Sequence, residues 1–266
     1  MDHLTYARAQ MGLSLAFHMA FAAAGVALPL FMVIADVLHR RTKDPDYLEF
    51  SKRMAKGTSI LFAVGAVSGT ALSFELGLLW PSFMGTFGEV VGLPFALEGF
   101  AFFTEAIFLG IYLYGRGRIP AGLHLFSGIM VAASGLLSAF FVTLVNSCMN
   151  LPQGFTMSNG KPIDIDPVAA MFSAPWKHQT LHALLACYQC TAFAMAGIHA
   201  AVLLRHPKSP LFRKAFGVTL GVACATALLI PLSGHHSAQK IAELEPAKLA
   251  AAEALFVTQK LSLIHI

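Results

Sequence analysis

The chain has 266 residues, of which 56% are hydrophobic and only 12% are charged. Soluble domains carry about 25% charged residues, so this composition excludes a soluble globular protein and indicates an integral membrane protein. The formal net charge of +4 gives no sign of a nucleic-acid partner, because most basic residues lie in loops between apolar segments. The lipid bilayer is therefore the first predicted partner, and nucleic acid is not one.

Six segments are long enough to cross a bilayer, which requires about 20 apolar residues each. They are approximately residues 10–38, 57–80, 93–115, 119–146, 179–204 and 212–233. The pattern predicts an all-α fold, a polytopic membrane helical bundle with six transmembrane helices over residues 1–234. Residues 81–92 and 147–178 are predicted external loops. The Ala- and Glu-rich stretch 235–260 is predicted to be a further external helix or loop.

The distribution of basic residues predicts the orientation of the chain. Of the 18 Lys and Arg residues, 12 lie in the three segments 39–56, 115–120 and 205–214. The positive-inside rule assigns these segments to the cytoplasm. The N-terminus is then outside, and the first, third and fifth helices run from outside to inside.

Two carboxylates, Glu98 and Glu105, lie inside the third apolar segment. Their spacing of two helical turns puts them on one face of a helix, about 10 Å apart along its axis. A carboxylate inside a bilayer is costly and is by default a functional-site hypothesis. From the residues alone, the pair fits a proton relay in a transporter as well as a redox protein, and both classes stay open.

Two histidines add to the polar residues in the outer half of the bilayer. His18 lies on the first apolar segment and His182 on the fifth, at a depth similar to that of Glu98. Imidazole is a preferred axial ligand of haem iron, so this arrangement suits buried haems. A single intramembrane histidine more often forms a hydrogen bond with a neighbouring helix. His178, one turn before His182, is interpreted as an interfacial residue rather than as half of a metal pair.

A series of short motifs runs in order along nearly the whole chain. They are Arg8-Ala9-Gln10 with His18, Gly69 with Phe74-Glu75-Leu76-Gly77 and Trp80, Gly92-Leu93-Pro94-Phe95-Ala96-Leu97-Glu98-Gly99, Phe102-Phe103-Thr104-Glu105, Ser138-Ala139 with Asn146, Lys177 with His182, and Lys248-Leu249-Ala250-Ala251-Ala252-Glu253. In order and spacing these motifs resemble subunit I of the cytochrome bd-type quinol oxidases, in particular the cyanide-insensitive branch. The resemblance implies an enzyme of the respiratory chain whose subunit I has nine membrane helices.

The resemblance also implies three haems. His182 would be an axial ligand of a low-spin haem b. His18 would ligate one of two high-spin haems, and Glu98 would lie at the same pair. The third haem is a haem d or a third haem b, and the sequence leaves that choice open, together with the quinone type and the particular high-spin haem that His18 ligates.

Roles for substrates and protons follow from the same resemblance. Lys248 and Glu253 would bind quinol in an external loop that begins within residues 235–260. Glu105 and Ser138 would belong to a hydrophilic route that delivers protons from the cytoplasm to the site where dioxygen is reduced to water. Quinol protons would be released outside, so a proton gradient would arise without a pump.

In the resembled family, three further helices follow the quinol loop, and a second membrane subunit completes the enzyme in the bacterial cytoplasmic membrane. Residues 261–266 do not resemble the family's continuation and are predicted to be a foreign tail. The chain is therefore expected to be a fragment that is inactive alone. Two rival interpretations are a proton-coupled transporter that uses Glu98 and Glu105, and a haem-binding electron-transfer or assembly protein without oxygen chemistry.

Overall fold

A computed structural model describes residues 3–254, and within this range the chain forms eight helices and one short β-hairpin. The helices are α1 (His3–Thr42), α2 (Pro45–Leu79), α3 (Pro81–Gly115), α4 (Ala121–Asn150), α5 (Pro167–Met171), α6 (Trp176–Arg205), α7 (Pro210–Leu244) and α8 (Pro246–Ala252), and the strands are β1 (Thr156–Ser158) and β2 (Lys161–Ile163). Six helices, α1 to α4, α6 and α7, are long and apolar enough to cross a membrane. The predicted six-helix membrane bundle is thus confirmed.

Two helix ends differ from the prediction. Residues 81–92 are helical, so the prediction of an external loop there was wrong: α3 begins at Pro81, directly after Trp80. Proline at the first helical position has no amide hydrogen to lose and already has a helical φ, so it favours a helix start at this point. In the same way α7 continues past Gly234 to Leu244. Hydropathy reports only the apolar part of a helix and misses such polar extensions.

The six long helices form three pairs, α1 with α2, α3 with α4, and α6 with α7. Each pair has a short connection, as expected for antiparallel neighbours in a helical bundle. Helix α1 also packs against α4 and α6, and α4 packs against α6, so these three helices form the centre. Helix α2 contacts α3 and α7 at the edge of the bundle.

Buried apolar residues form two clusters at opposite ends of the bundle. The larger cluster lies where α1 and α3 end and where α2 and α7 begin; it includes Leu28, Phe31, Met32, Ala35, Phe50, Met54, Leu109, Tyr112 and Val131. The smaller cluster joins the start of α3 to the end of α4 and to α5; it contains Val90, Val91, Val145, Cys148 and Ala170. The most apolar stretch of α2 has no buried residue, so its residues are exposed or only partly covered within the described part of the chain.

Turn-forming and helix-capping residues determine the structure of the segment between α4 and α6. Strands β1 and β2 pair antiparallel around Asn159-Gly160, and both turn residues have positive φ, 49° and 76°. An Asn-Gly pair in this conformation is a strong hairpin signal. Helix α5 begins after Asp166, whose carboxylate accepts hydrogen bonds from two backbone amides at 3.0 Å. The predicted loop end, 255–260, and the predicted foreign tail, 261–266, lie outside the described residues.

Candidate functional site

His18 is held by a serine on the neighbouring helix. Its Nδ1 lies 2.9 Å from Oγ of Ser68 on α2, and that hydroxyl donates to the carbonyl oxygen of Val64 at 2.8 Å. Because the serine proton is already used, Nδ1–H of the imidazole is the donor and Ser68 Oγ the acceptor. His18 Nε2 is then unprotonated and is left with a free lone pair.

His182 repeats this arrangement between α6 and α7. Its Nδ1 lies 2.9 Å from Oγ of Ser233, which donates to the carbonyl oxygen of Ile230 at 3.0 Å. Again the hydrogen-bond network assigns the proton to Nδ1 and the lone pair to Nε2. An imidazole fixed by a hydrogen bond at one nitrogen, with the other free, is the usual state of a metal-ligating histidine.

Both histidines also pack against a glycine. A Cβ atom on Gly69 would lie 3.1 Å from Cε1 of His18, and one on Gly234 would lie 3.4 Å from Cε1 of His182. Each glycine directly follows the serine that holds the same imidazole. The two helices can therefore approach closely enough for the serine hydroxyl to reach Nδ1, and the ring orientation is fixed by contact on one face.

Glu98 and Glu105 both face α4. Ser138 donates a hydrogen bond to Oε1 of Glu98 at 2.8 Å. The side chain of Glu105 lies against Gly135, where a Cβ atom would be 3.3 Å from Oε2 and 3.4 Å from Oε1. Glu105 is only 7% exposed. The structure therefore brings Ser138 into contact with Glu98, while Glu105 contacts α4 two turns further along the same face of α3.

His18, Glu98 and His182 are not hydrogen-bonded to one another; each is instead bonded to a serine, Ser68, Ser138 and Ser233 respectively. Among residues 3–254 no group of three or more His, Cys, Asp and Glu side chains could hold a metal ion. A haem does not require such a group, since the porphyrin supplies four nitrogens and the protein supplies only axial ligands. Two separate imidazoles, each with a free Nε2, fit this requirement.

The predicted quinol-binding residues lie on and directly after α8, near the ends of α4 and α7. Lys248, on α8, donates to Oδ1 of Asn150 at 2.7 Å and lies 3.3 Å from Oε1 of Glu245. Glu253 directly follows α8, and its backbone amide donates to the carbonyl oxygen of Leu249 at 2.9 Å. The contact between Lys248 and Asn150 ties the short helix α8 to the end of α4.

Sequence reasoning missed a buried polar cluster at the opposite end of the bundle. Asp36 on α1 lies 3.2 Å from Nη1 of Arg116 and 3.3 Å from Nδ1 of His124. Arg116 also donates to the hydroxyls of Ser51 and Tyr112 at 3.0 and 2.9 Å. The cluster therefore joins the four helices α1, α2, α3 and α4 at one end of the bundle. In the sequence, the only sign of this cluster was the acidic residue Asp36 shortly before the basic residues at the end of α1.

A partly buried ion pair joins the starts of α2 and α7. Lys214 contacts the carboxylate of Asp44 and lies 2.5 Å from Oδ2 of Asp46. Asp44 precedes α2, and its carboxylate also accepts from the backbone amide of Asp46 at 2.9 Å. The hydrogen bond from Lys214, and next the one from this amide, hold the pKa of Asp44 below its ordinary value.

The fold and these contacts define a polytopic helical membrane protein with two anchored imidazoles that suit axial ligation of haem. Residues 6–266 match the family described as cytochrome bd terminal oxidase subunit I. The chain belongs to this family. This membership agrees with the resemblance that the sequence motifs showed.

Individual relatives agree with the family match. A Bacillus subtilis protein assigned as subunit I of a cytochrome bd menaquinol oxidase is 37% identical over 263 residues, covering 97% of this chain and 59% of the relative. The cytochrome bd ubiquinol oxidase subunit 1 of Bacillus subtilis is 32% identical over 259 residues, covering 96% of this chain and 55% of the relative. The solved bd oxidase of Geobacillus thermodenitrificans has a TM-score of 0.92 and 40% identity, covering 96% of this chain and 60% of that chain. The chain therefore spans little more than half the length of these relatives.

Proposed function

We propose that this chain is the N-terminal part of subunit I of a bacterial quinol:oxygen oxidoreductase. The whole enzyme would oxidise quinol at the outer face of the cytoplasmic membrane and reduce dioxygen to water, and it would include a second membrane subunit. The observation that carries the proposal is that His18 and His182 have the same hydrogen-bonding arrangement. Each has an Nδ1 fixed by serine and a free Nε2, within a chain of the bd oxidase family.

The histidines and Glu98 would hold the haems. His182 would be an axial ligand of the low-spin haem b, and His18 of one of the two high-spin haems, with Glu98 at the same pair; the third group is a haem d or a further haem b. When bound, these haems supply the electron transfer from quinol to dioxygen. The contribution of Ser68 and Ser233 is to fix the orientation and the tautomer of each imidazole.

Glu98, Glu105 and Ser138 would carry protons from the cytoplasmic side. The Ser138 hydroxyl donates to Glu98, and it can pass on a proton because a hydroxyl both donates and accepts. Glu105, on the same face of α3, is two turns nearer the end that carries the basic loops. Since quinol protons leave at the outer face, where Lys248 and Glu253 would bind the substrate, charge is separated without a pump.

Absorption spectroscopy of membranes tests the proposal. The complete oxidase that contains this chain, produced with its partner subunit, should show haem bands in a reduced-minus-oxidised spectrum. His182→Ala should lose the low-spin signal and His18→Ala a high-spin signal. His199→Ala is the matched control, because His199 is a buried histidine on α6 that faces Thr219 near the opposite end of the helix.

The outcomes separate the proposal from its rivals. Well-folded protein without any haem band would overturn the oxidase proposal, and a transport defect in Glu98→Gln would then favour a proton-coupled transporter. A low-spin spectrum that does not respond to carbon monoxide would favour an electron-transfer or assembly protein. Membranes that contain only these 266 residues are expected to show no quinol-dependent oxygen uptake.

A further inference from the structure

A third histidine at the outer end of α6 has a buried nitrogen without a partner. His178 is only 3% exposed, and its Nδ1 lies 2.9 Å from Oγ of Ser237 on α7. Its Nε2 is buried and has no hydrogen-bond partner among residues 3–254. Buried polar atoms in proteins are nearly always paired, so an unpaired imidazole nitrogen at this position indicates a partner that the described chain does not supply.

The serine that holds His178 differs from those at His18 and His182. Ser68 and Ser233 each donate their proton to a backbone carbonyl, which fixes the imidazole tautomer. In the described chain, Ser237 has no such second bond. Its hydroxyl is free to donate to Nδ1 or to accept from it. Both tautomers of His178 are therefore available, and Nε2 can be an acceptor in one and a donor in the other.

The surroundings of His178 include Lys248, one of the two residues expected to bind quinol. Charged or titratable groups from α7, from α8 and from the turn between them act on its imidazole; they are Glu245, Lys248, Lys240 and His236. The neighbouring Gln179 accepts a hydrogen bond from Asn146 of α4, and its own Nε2 is also buried with no partner among the described residues. Consecutive residues at the start of α6 thus each carry a side-chain nitrogen without a partner in the described chain, His178 facing α7 and Gln179 facing α4.

We propose that His178 binds the head group of the quinol through Nε2. In one tautomer Nε2 accepts a hydrogen bond from a hydroxyl of quinol, and in the other it donates to a carbonyl of quinone, while the Ser237 hydroxyl turns to match. The inference rests on the proposed function, in which Lys248 and Glu253 bind quinol. It adds a residue of α6 to that site, one helical turn from His182, which corresponds to about 6 Å along the axis.

Quinone affinity of the assembled oxidase tests this inference without using turnover. Titration calorimetry with short-chain ubiquinone and menaquinone analogues should give a Kd about tenfold higher for His178→Phe than for the unchanged enzyme, because one buried hydrogen bond is lost. His199→Phe is the matched control and should leave the Kd unchanged. Ser237→Ala should weaken binding several-fold, and Ser237→Thr, which keeps the hydroxyl, should restore it.

The haem spectrum of each variant separates folding from binding. Normal haem bands together with a raised Kd in His178→Phe support the inference, while normal bands with an unchanged Kd overturn it. If His178→Phe does not assemble, the two variants Ser237→Ala and Ser237→Thr provide the test. Equal quinone affinity in these two variants overturns the inference. Absence of quinone binding by the unchanged enzyme would overturn the proposed function as well.

Discussion

Four Ser-Gly dipeptides in the apolar helices each face an ionisable or aromatic side chain of a neighbouring helix. Ser68-Gly69 faces His18, Ser127-Gly128 faces Tyr112, Ser134-Gly135 faces Glu105 and Ser233-Gly234 faces His182. Small residues allow membrane helices to approach closely, so this dipeptide marks close contacts. The sequence displays all four, but the side chain that each one faces depends on helix pairing, which hydropathy does not report.

Gly69→Ala is expected to weaken haem binding at His18. The new Cβ would lie 3.1 Å from Cε1 of the imidazole, so the ring must shift and its bond with Ser68 must lengthen. Loss of such supporting contacts lowers metal affinity by about tenfold or more. Measurement of haem per protein in the purified oxidase checks this expectation.

Gly65→Ala is the matched control for this substitution. Gly65 lies one turn earlier on α2, and a Cβ there meets nothing within 4 Å. Equal haem content in the Gly65→Ala and Gly69→Ala proteins would show that the close contact with His18 does not support the ligand.

At the scale of single elements, the apolar stretches predicted which segments are helices but not where the helices end. Trp80 alone separates α2 from α3, and α7 extends beyond the apolar stretch to Leu244. The candidate ligands were found because a polar residue inside an apolar helix is conspicuous. Their partners Ser68 and Ser233 were missed, because serine is common in membrane helices and becomes informative only when the facing helix is known.

Asp36→Asn is expected to destabilise the protein by about 3 kcal/mol, because it removes the buried carboxylate that pairs with Arg116. The side chain of Asp36 is 3% exposed and faces Arg116 and His124. Thermal unfolding in detergent measures the effect. The control is Glu49→Gln, which breaks an exposed pair with Arg53 and should cost less than about 1 kcal/mol. Similar losses in the two variants would contradict a structural role for the buried cluster.

The ion pair at the starts of α2 and α7 predicts a pH dependence of stability. Contact with Lys214 lowers the pKa of Asp44 in the folded state, so the pair stabilises the fold above the ordinary aspartate pKa of 3.8. This contribution is lost as the pH falls through the lowered pKa. The difference in unfolding temperature between the unchanged protein and Asp44→Asn should therefore shrink on acidification.

A double-mutant cycle isolates the ion pair. In a Lys214→Met background, Asp44→Asn should have a smaller pH-dependent effect on the unfolding temperature, since the first contact that lowers the pKa is absent while the amide of Asp46 remains. A pH dependence of undiminished size in this background would assign the effect to a group other than Lys214.

At the scale of the whole molecule, the sequence predicted six spanning helices and the positions of polar residues along them, but not the arrangement of the helices. The centre is formed by α1, α4 and α6, which are distant in the chain, and no local pattern reports such contacts. Helix α2 keeps its most apolar stretch unburied within the described residues. In the solved Geobacillus thermodenitrificans oxidase, the matching region is 60% of the chain.

Orientation in the membrane is the last prediction, and it decides which face releases quinol protons. The segments 39–56, 115–120 and 205–214 contain 12 of the 18 basic residues, so the positive-inside rule assigns them to the cytoplasm. Two exposed lysines test this. In cells expressing the oxidase with Cys190 and Cys224 replaced by alanine, a membrane-impermeant thiol reagent should label Lys161→Cys in the β-hairpin. It should label Lys208→Cys only after the membrane is opened.

The reverse labelling pattern would place the β-hairpin, α8 and the candidate quinol-binding residues in the cytoplasm. Quinol oxidation would then release its protons in the cytoplasm, while Glu105, which lies nearer the end with the basic loops, would draw protons from outside, so the gradient would have the opposite sign. Labelling of both cysteines in intact cells would instead indicate a leaky membrane. Labelling of an unmodified cytoplasmic protein in the same cells detects such a leak. One experiment therefore tests three linked expectations: the orientation given by the charge distribution, the outer location of Lys248 and the direction of proton uptake.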